Sequence, residues 1–82
     1  MENESLSVLN ACVSHELRNP LNSISAQNVE QLGIITEVRS LLAGGDLDQI
    51  SLKLDSLERS VDVQASSSEL MTYLVQDLLD YA

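Results

Sequence analysis

One histidine and one cysteine stand in the 82 residues of this chain, His15 and Cys12. A single residue of each type removes both an internal disulfide framework and a Cys/His metal cage, so no metal site is expected. What remains is the imidazole and its neighbours. On a helix at 100° per residue, Val13 and Leu17 centre the local apolar stripe and His15 falls about 180° from it. Ala11, Arg18, Asn19 and Asn22 share that outer face, and Glu16 lies about 100° round. A polar patch thus surrounds one water-facing imidazole, the group to weigh for chemistry. Taken alone, the pattern also describes a solvated helix face with an incidental histidine. Pro20 adds weight to the chemical reading. Inside a helix it removes the bond its N–H would have donated to the Glu16 carbonyl, at a cost of roughly 3 kcal/mol. A bend or loosened turn is therefore expected one turn beyond His15. Cys12 reads as a small apolar residue beside the stripe.

The elements that hold these residues follow from composition and periodicity. Four Lys and Arg stand against 13 Asp and Glu, for a net charge of -9. Arg18, Arg39, Lys53 and Arg59 are scattered, which argues against a nucleic-acid backbone as partner. No apolar run approaches the roughly 18 residues of a membrane span, and the opening Met1-Glu2-Asn3-Glu4 is acidic where a signal peptide is basic. The segment reads as soluble and cytoplasmic, with no membrane contact of its own. One small domain fits, with a core marginal at this size. With disulfides and metal removed, oligomerisation is the remaining supplement.

Leu, Glu, Gln, Ser and Ala dominate, and no stretch alternates in the manner of a strand. The spacing predicts a first helix over about residues 4–43, a turn over 44–46 and a second helix over about 47–82. At the turn, Gly44 or Gly45 can end a helix in the left-handed conformation, Asp46 can cap the next, and Gln49 completes a capping box. The second helix carries a stripe of Leu47, Ile50, Leu54, Leu57, Val61, Gln64, Ser68, Met71, Val75, Leu78 and Ala82, in alternating steps of 3 and 4. Leu70, Leu74, Leu79 and Tyr81 widen it beyond what one partner helix covers. The first helix, roughly 60 Å long at 1.5 Å per residue, carries Leu6, Leu9, Val13, Leu17, Leu21, Ile24, Asn28, Leu32, Ile35, Val38 and Leu42. Repeated steps of 4 from Leu9 to Leu21 predict a stutter near residue 15. The fold class is all-α: an antiparallel helical hairpin that dimerises into a four-helix bundle.

Two runs of residues carry a family resemblance. Ser14-His15-Glu16-Leu17-Arg18-Asn19-Pro20-Leu21-Asn22-Ser23-Ile24 resembles the H-box of two-component sensor histidine kinases, S-H-E-L-R-[TN]-P-L-[TN]-x-I. Gln76-Asp77-Leu78-Leu79-Asp80-Tyr81-Ala82 resembles the N-D-L-L-D-[FY]-[SA] ending of the same domain's second helix. Between them they span nearly the whole chain. The resemblance implies the dimerisation and histidine-phosphotransfer domain, a homodimeric four-helix bundle.

It further implies that His15 is the phosphoacceptor, attacking the γ-phosphoryl of ATP and passing it to a response-regulator aspartate. Glu16 would be the general base, and Asn19 would position a water for dephosphorylating the regulator. The partners implied are a second copy, the kinase's ATP-binding domain and a response-regulator receiver domain. ATP and Mg2+ belong to the ATP-binding domain, of which nothing resembling the nucleotide-binding boxes stands here, so this segment by itself is expected to be a substrate and inactive as a kinase. A longer parent is expected, with a sensor region upstream. Arg18 reads equally as phosphoryl-neutralising or as one side of a salt bridge. A regulator could dock in a groove between Leu21–Ser25 and Gln64–Ser68, which lie level in the hairpin just below His15. Two other classes remain: a stand-alone phosphotransfer relay, and a structural dimeric coiled coil.

Overall fold

The computed structural model describes the backbone of residues 2–81 and the side chains of residues 11–80. It contains two helices, α1 (Glu2–Gly44) and α2 (Leu47–Tyr81), packed antiparallel as a hairpin 65 Å long and 16 by 11 Å across. The expected end of the second helix at Ala82, like the stripe positions Leu6 and Leu9, lies outside what is described.

The turn is built from backbone chemistry. Gly45 takes a left-handed φ of 74°, which a residue with a Cβ adopts only under strain. That geometry lets the Gly45 N–H donate to the Leu42 carbonyl and the Asp46 N–H to the Leu41 carbonyl, both at 3.2 Å. This pair of bonds satisfies carbonyls that the end of α1 would otherwise leave open. Asp46 then starts α2: its carboxylate accepts from the Gln49 N–H at 3.1 Å and its carbonyl from the Ile50 N–H at 3.1 Å.

The seam between the helices is regular. On α1 the shielded positions are Val13, Leu17, Pro20, Ile24, Gln27, Gln31, Ile34, Val38 and Leu41, stepping 4 and 3 in alternation. On α2 the matching row runs Ile50, Lys53, Leu57, Ser60, Gln64, Ser67, Met71, Leu74 and Leu78. Two expectations change. From Val13 onward the rhythm carries no stutter, because Pro20 rather than Leu21 enters the seam after Leu17. Pro20 also sits within an uninterrupted helix, its ring buried against α2. Burial of that ring offsets part of the cost of the lost bond.

The second difference concerns the apolar stripes. Only half of each faces the other helix. Leu21, Asn28, Ile35 and Leu42 on α1, and Leu47, Leu54, Val61, Ser68 and Val75 on α2, repeat every seven residues and are all exposed. Each of these rows lies about 40° from its helix's seam, and in an antiparallel pair both fall on the same flank of the hairpin. The hairpin thus presents one apolar flank to solvent.

The middle of the seam is polar. The Ser60 hydroxyl donates to Gln27 Oε1 at 2.7 Å, and Gln31 Nε2 donates to Ser60 Oγ at 3.1 Å and to Gln64 Oε1 at 2.8 Å. Gln64 Nε2 in turn donates to Asn28 Oδ1 at 2.6 Å and to the Ile24 carbonyl at 3.2 Å. No buried side-chain polar atom among the described residues is left without a partner. Ser60, 3% exposed, and Ile34, 6% exposed, are nearly adjacent along the molecule, so the most deeply buried part of the hairpin mixes a hydroxyl with an aliphatic side chain. Glu37 and Lys53 form an ion pair across the helices nearer the turn, exposed enough to contribute less than about 1 kcal/mol. Among the described residues, no helix is long and apolar enough to cross a membrane.

Candidate functional site

His15 is held on the outer face of α1 by the seam itself. Val13 and Leu17, one on either side of it in sequence, turn toward α2, and the helical period sends position 15 outward. His15, Glu16, Arg18, Asn19 and Asn22 are all exposed. Round the helix, Asn19 falls between His15 and Glu16, about 40° from the first and about 60° from the second. The imidazole, the carboxylate and the amide therefore open onto one continuous arc of surface, with no helix packed over it among the described residues.

Glu16 also belongs to a second feature. Cys12, Val13 and Glu16 on α1, with Leu74, Asp77, Leu78 and Asp80 on α2, line a groove of about 520 Å³ between the helices. Its floor is apolar and its rim carries three carboxylates. Because Glu16 faces Leu74 and Asp77 here, His15 lies level with about Val75. Cys12 is exposed at the edge of this groove and so stands outside the seam.

A smaller groove of about 180 Å³, lined by Gln27, Glu30, Ser56, Arg59, Ser60 and Val63, opens on the same flank nearer the turn. The two grooves thus lie to either side of the Leu21–Ser25 and Gln64–Ser68 level at which a docking groove was expected. There Ser67 is half-buried toward α1, whereas Ser68 is exposed on the apolar flank. The two serines do not share a surface. Arg18 is exposed and forms no ion pair among the described residues.

In the sequence Asp77 and Asp80 belong to the motif ending Gln76–Ala82, which by itself gives their carboxylates no place in space. The period of α2 was a usable signal, since Asp77 follows Leu74 and precedes Leu78 on the shielded edge. Gln76 Nε2 donates to Asp80 Oδ1 at 3.2 Å, one turn apart on α2. Among the described residues, no group of three or more His, Cys, Asp or Glu converges as metal ligands do.

No family model matches the chain, and neither a curated protein nor a solved structure matches it.

Proposed function

We propose that this chain is the dimerisation and phosphoacceptor domain of a two-component sensor histidine kinase, with His15 as the phosphoacceptor. The observation that carries the reading is the run Ser14–Ile24, in which His15, Glu16 and Asn19 are exposed together while Pro20 of the same run is buried in the seam. In this reading a nitrogen of the His15 imidazole attacks the γ-phosphorus of ATP in line. The bond from phosphorus to the bridging oxygen breaks, and ADP departs with the electron pair. Glu16 accepts the proton of the other ring nitrogen as positive charge develops on the ring.

Exposure of His15 serves both halves of the cycle, since a nucleotide carried on another domain and later a regulator aspartate must reach the same atom. In the second half a carboxylate oxygen of the regulator attacks the phosphorus and the P–N bond breaks. In a separate phosphatase step Asn19, on the adjoining arc, orients a water that attacks the phosphorus of the regulator's aspartyl phosphate, the P–O bond to the aspartate breaks and inorganic phosphate leaves. ATP and Mg2+ are supplied by the ATP-binding domain, and the apolar flank takes a second copy of the chain.

The test is transfer of labelled phosphate from ATP to this chain by the parent's separately expressed ATP-binding domain, comparing wild type with His15→Gln. Acid-labile, alkali-stable label that vanishes in the variant is the expected result. Absence of label on the wild type, with the ATP-binding domain shown to bind nucleotide, would overturn the assignment in favour of a scaffold or of a relay fed by another donor.

A further inference from the structure

The polar network of the seam does not stop inside the hairpin. Its last member, Asn28, is exposed on the apolar flank, where it replaces a leucine or isoleucine in the row Leu21, Asn28, Ile35, Leu42. Asn28 Oδ1 is taken by Gln64, and among the described residues the Asn28 amide nitrogen donates no hydrogen bond, so its two N–H groups are offered outward. The flank itself carries no charged residue in its two heptad rows, although the chain's net charge is -9. A compact monomer of this mass exposes about 4,900 Å², against the 6185 Å² of this hairpin. The excess is larger than the roughly 800 Å² that each partner commits to a standard stable interface. A second copy of the chain is the occupant whose flank is equally apolar, equally free of charge and interrupted by the same polar group.

We propose that Asn28, held by Gln64, is the residue that sets the alignment of two copies: a parallel pair, turns at the same end, with the two polar networks joined into one layer across the two-fold axis. This rests on the dimer assumed in the proposed function but not on the chemistry of His15. The geometry selects the alignment. Asn28 lies 17 residues before Gly45, about 25 Å from the turn at 1.5 Å per residue, in a molecule 65 Å long. Parallel hairpins in register bring the two Asn28 side chains to one level. Antiparallel hairpins displace them by about 15 Å, to a level where Leu21, Ser68 and Val75 stand and no second amide is in reach. Beside Ser68, Asn28 is the one amide in this largely apolar flank, and a single asparagine in such an interface is a known device of this kind, fixing register and strand number while weakening the assembly.

The test compares the chain with its Asn28→Leu variant, each carrying Cys12→Ser and a spin label at Gly33→Cys, an outward position where an added Cβ meets nothing within 4 Å. Native mass spectrometry reads the oligomeric state and pulsed electron resonance the label-to-label distance. Wild type is expected to give dimers with one narrow distance distribution. Asn28→Leu is expected to tighten association by about tenfold or more while splitting the distance distribution or adding higher oligomers, with helicity by circular dichroism unchanged. Gln64→Leu, which frees the Asn28 amide to rotate, should broaden the distribution in the same way. A variant that keeps the single wild-type distance and a single dimeric species would overturn the proposal. So would a wild type that stays monomeric at high micromolar concentration, a result that leaves phosphorylation of His15 to be decided separately.

Discussion

At the scale of single residues, what distinguishes His15 from an ordinary surface histidine is the company it keeps on one arc of α1. Glu16 and Asn19 bracket the same surface from different angles, so the proposed roles separate by mutation. Glu16→Gln keeps the size and loses the base, and is expected to slow labelling of His15 by about 10²-fold or more without changing helicity. Asn19→Ala is expected to leave that labelling within about twofold while slowing dephosphorylation of the regulator by about tenfold or more, because an amide that only positions water acts through orientation. Time courses of labelled His15 and of labelled regulator, run on the same two proteins, read both effects. If Asn19→Ala abolished labelling of His15, the division of labour between the two side chains would be wrong.

At the scale of elements, the hairpin depends on one turn residue and one buried hydroxyl. An added Cβ meets open space at both Gly44 and Gly45, so backbone conformation alone separates them. Gly45, at φ 74°, should lose about 1–2 kcal/mol on replacement by alanine. Gly44, at the end of helical α1, should change little or gain up to about 1 kcal/mol. In the seam, Ser60→Ala leaves Gln27 Oε1 without its donor and Gln31 without one acceptor, in a position 3% exposed. The expected loss is about 1–3 kcal/mol. Urea unfolding followed by circular dichroism measures all three, and the order Ser60→Ala and Gly45→Ala below wild type, with Gly44→Ala at or above it, is the outcome to look for.

At the scale of the whole molecule, a pair of long helices that buries only Pro20, Ile34 and Ser60 among its described residues has little core of its own. Its stability is expected to depend on association. Thermal unfolding should therefore shift with protein concentration, by about 4 °C per tenfold change for a dimer of this length. Leu54→Glu places a charge on the apolar flank, where Leu54 is 49% exposed in the hairpin. It should raise the dissociation constant by about 10²-fold or more and remove the concentration dependence by leaving monomer alone. A melting temperature independent of concentration for the unmutated chain would place the stability inside the hairpin instead.

The sequence by itself determined the secondary structure and its layout. Leucine and isoleucine at helical spacing, the absence of alternation and the Gly44-Gly45-Asp46 break give two helices and one turn, because these depend on interactions within a few residues. The alignment of the two helices followed from the same turn, since an antiparallel pair has only one way to count outward from it. The exposure of His15 was legible too, as a consequence of Val13 and Leu17 being apolar. What only the tertiary structure decided is how each stripe is divided between the two helices of the hairpin and the open flank. Leu21, Ile35, Leu54 and Val61 are as apolar as Leu17, Ile34 and Leu57, and hydrophobicity carries no information about which neighbour covers a side chain. The seam chose Pro20 over Leu21, and Gln27, Gln31 and Ser60 over more apolar candidates. A polar side chain enters a core only when partners on the other helix satisfy it, and that pairing exists only once α1 and α2 are side by side.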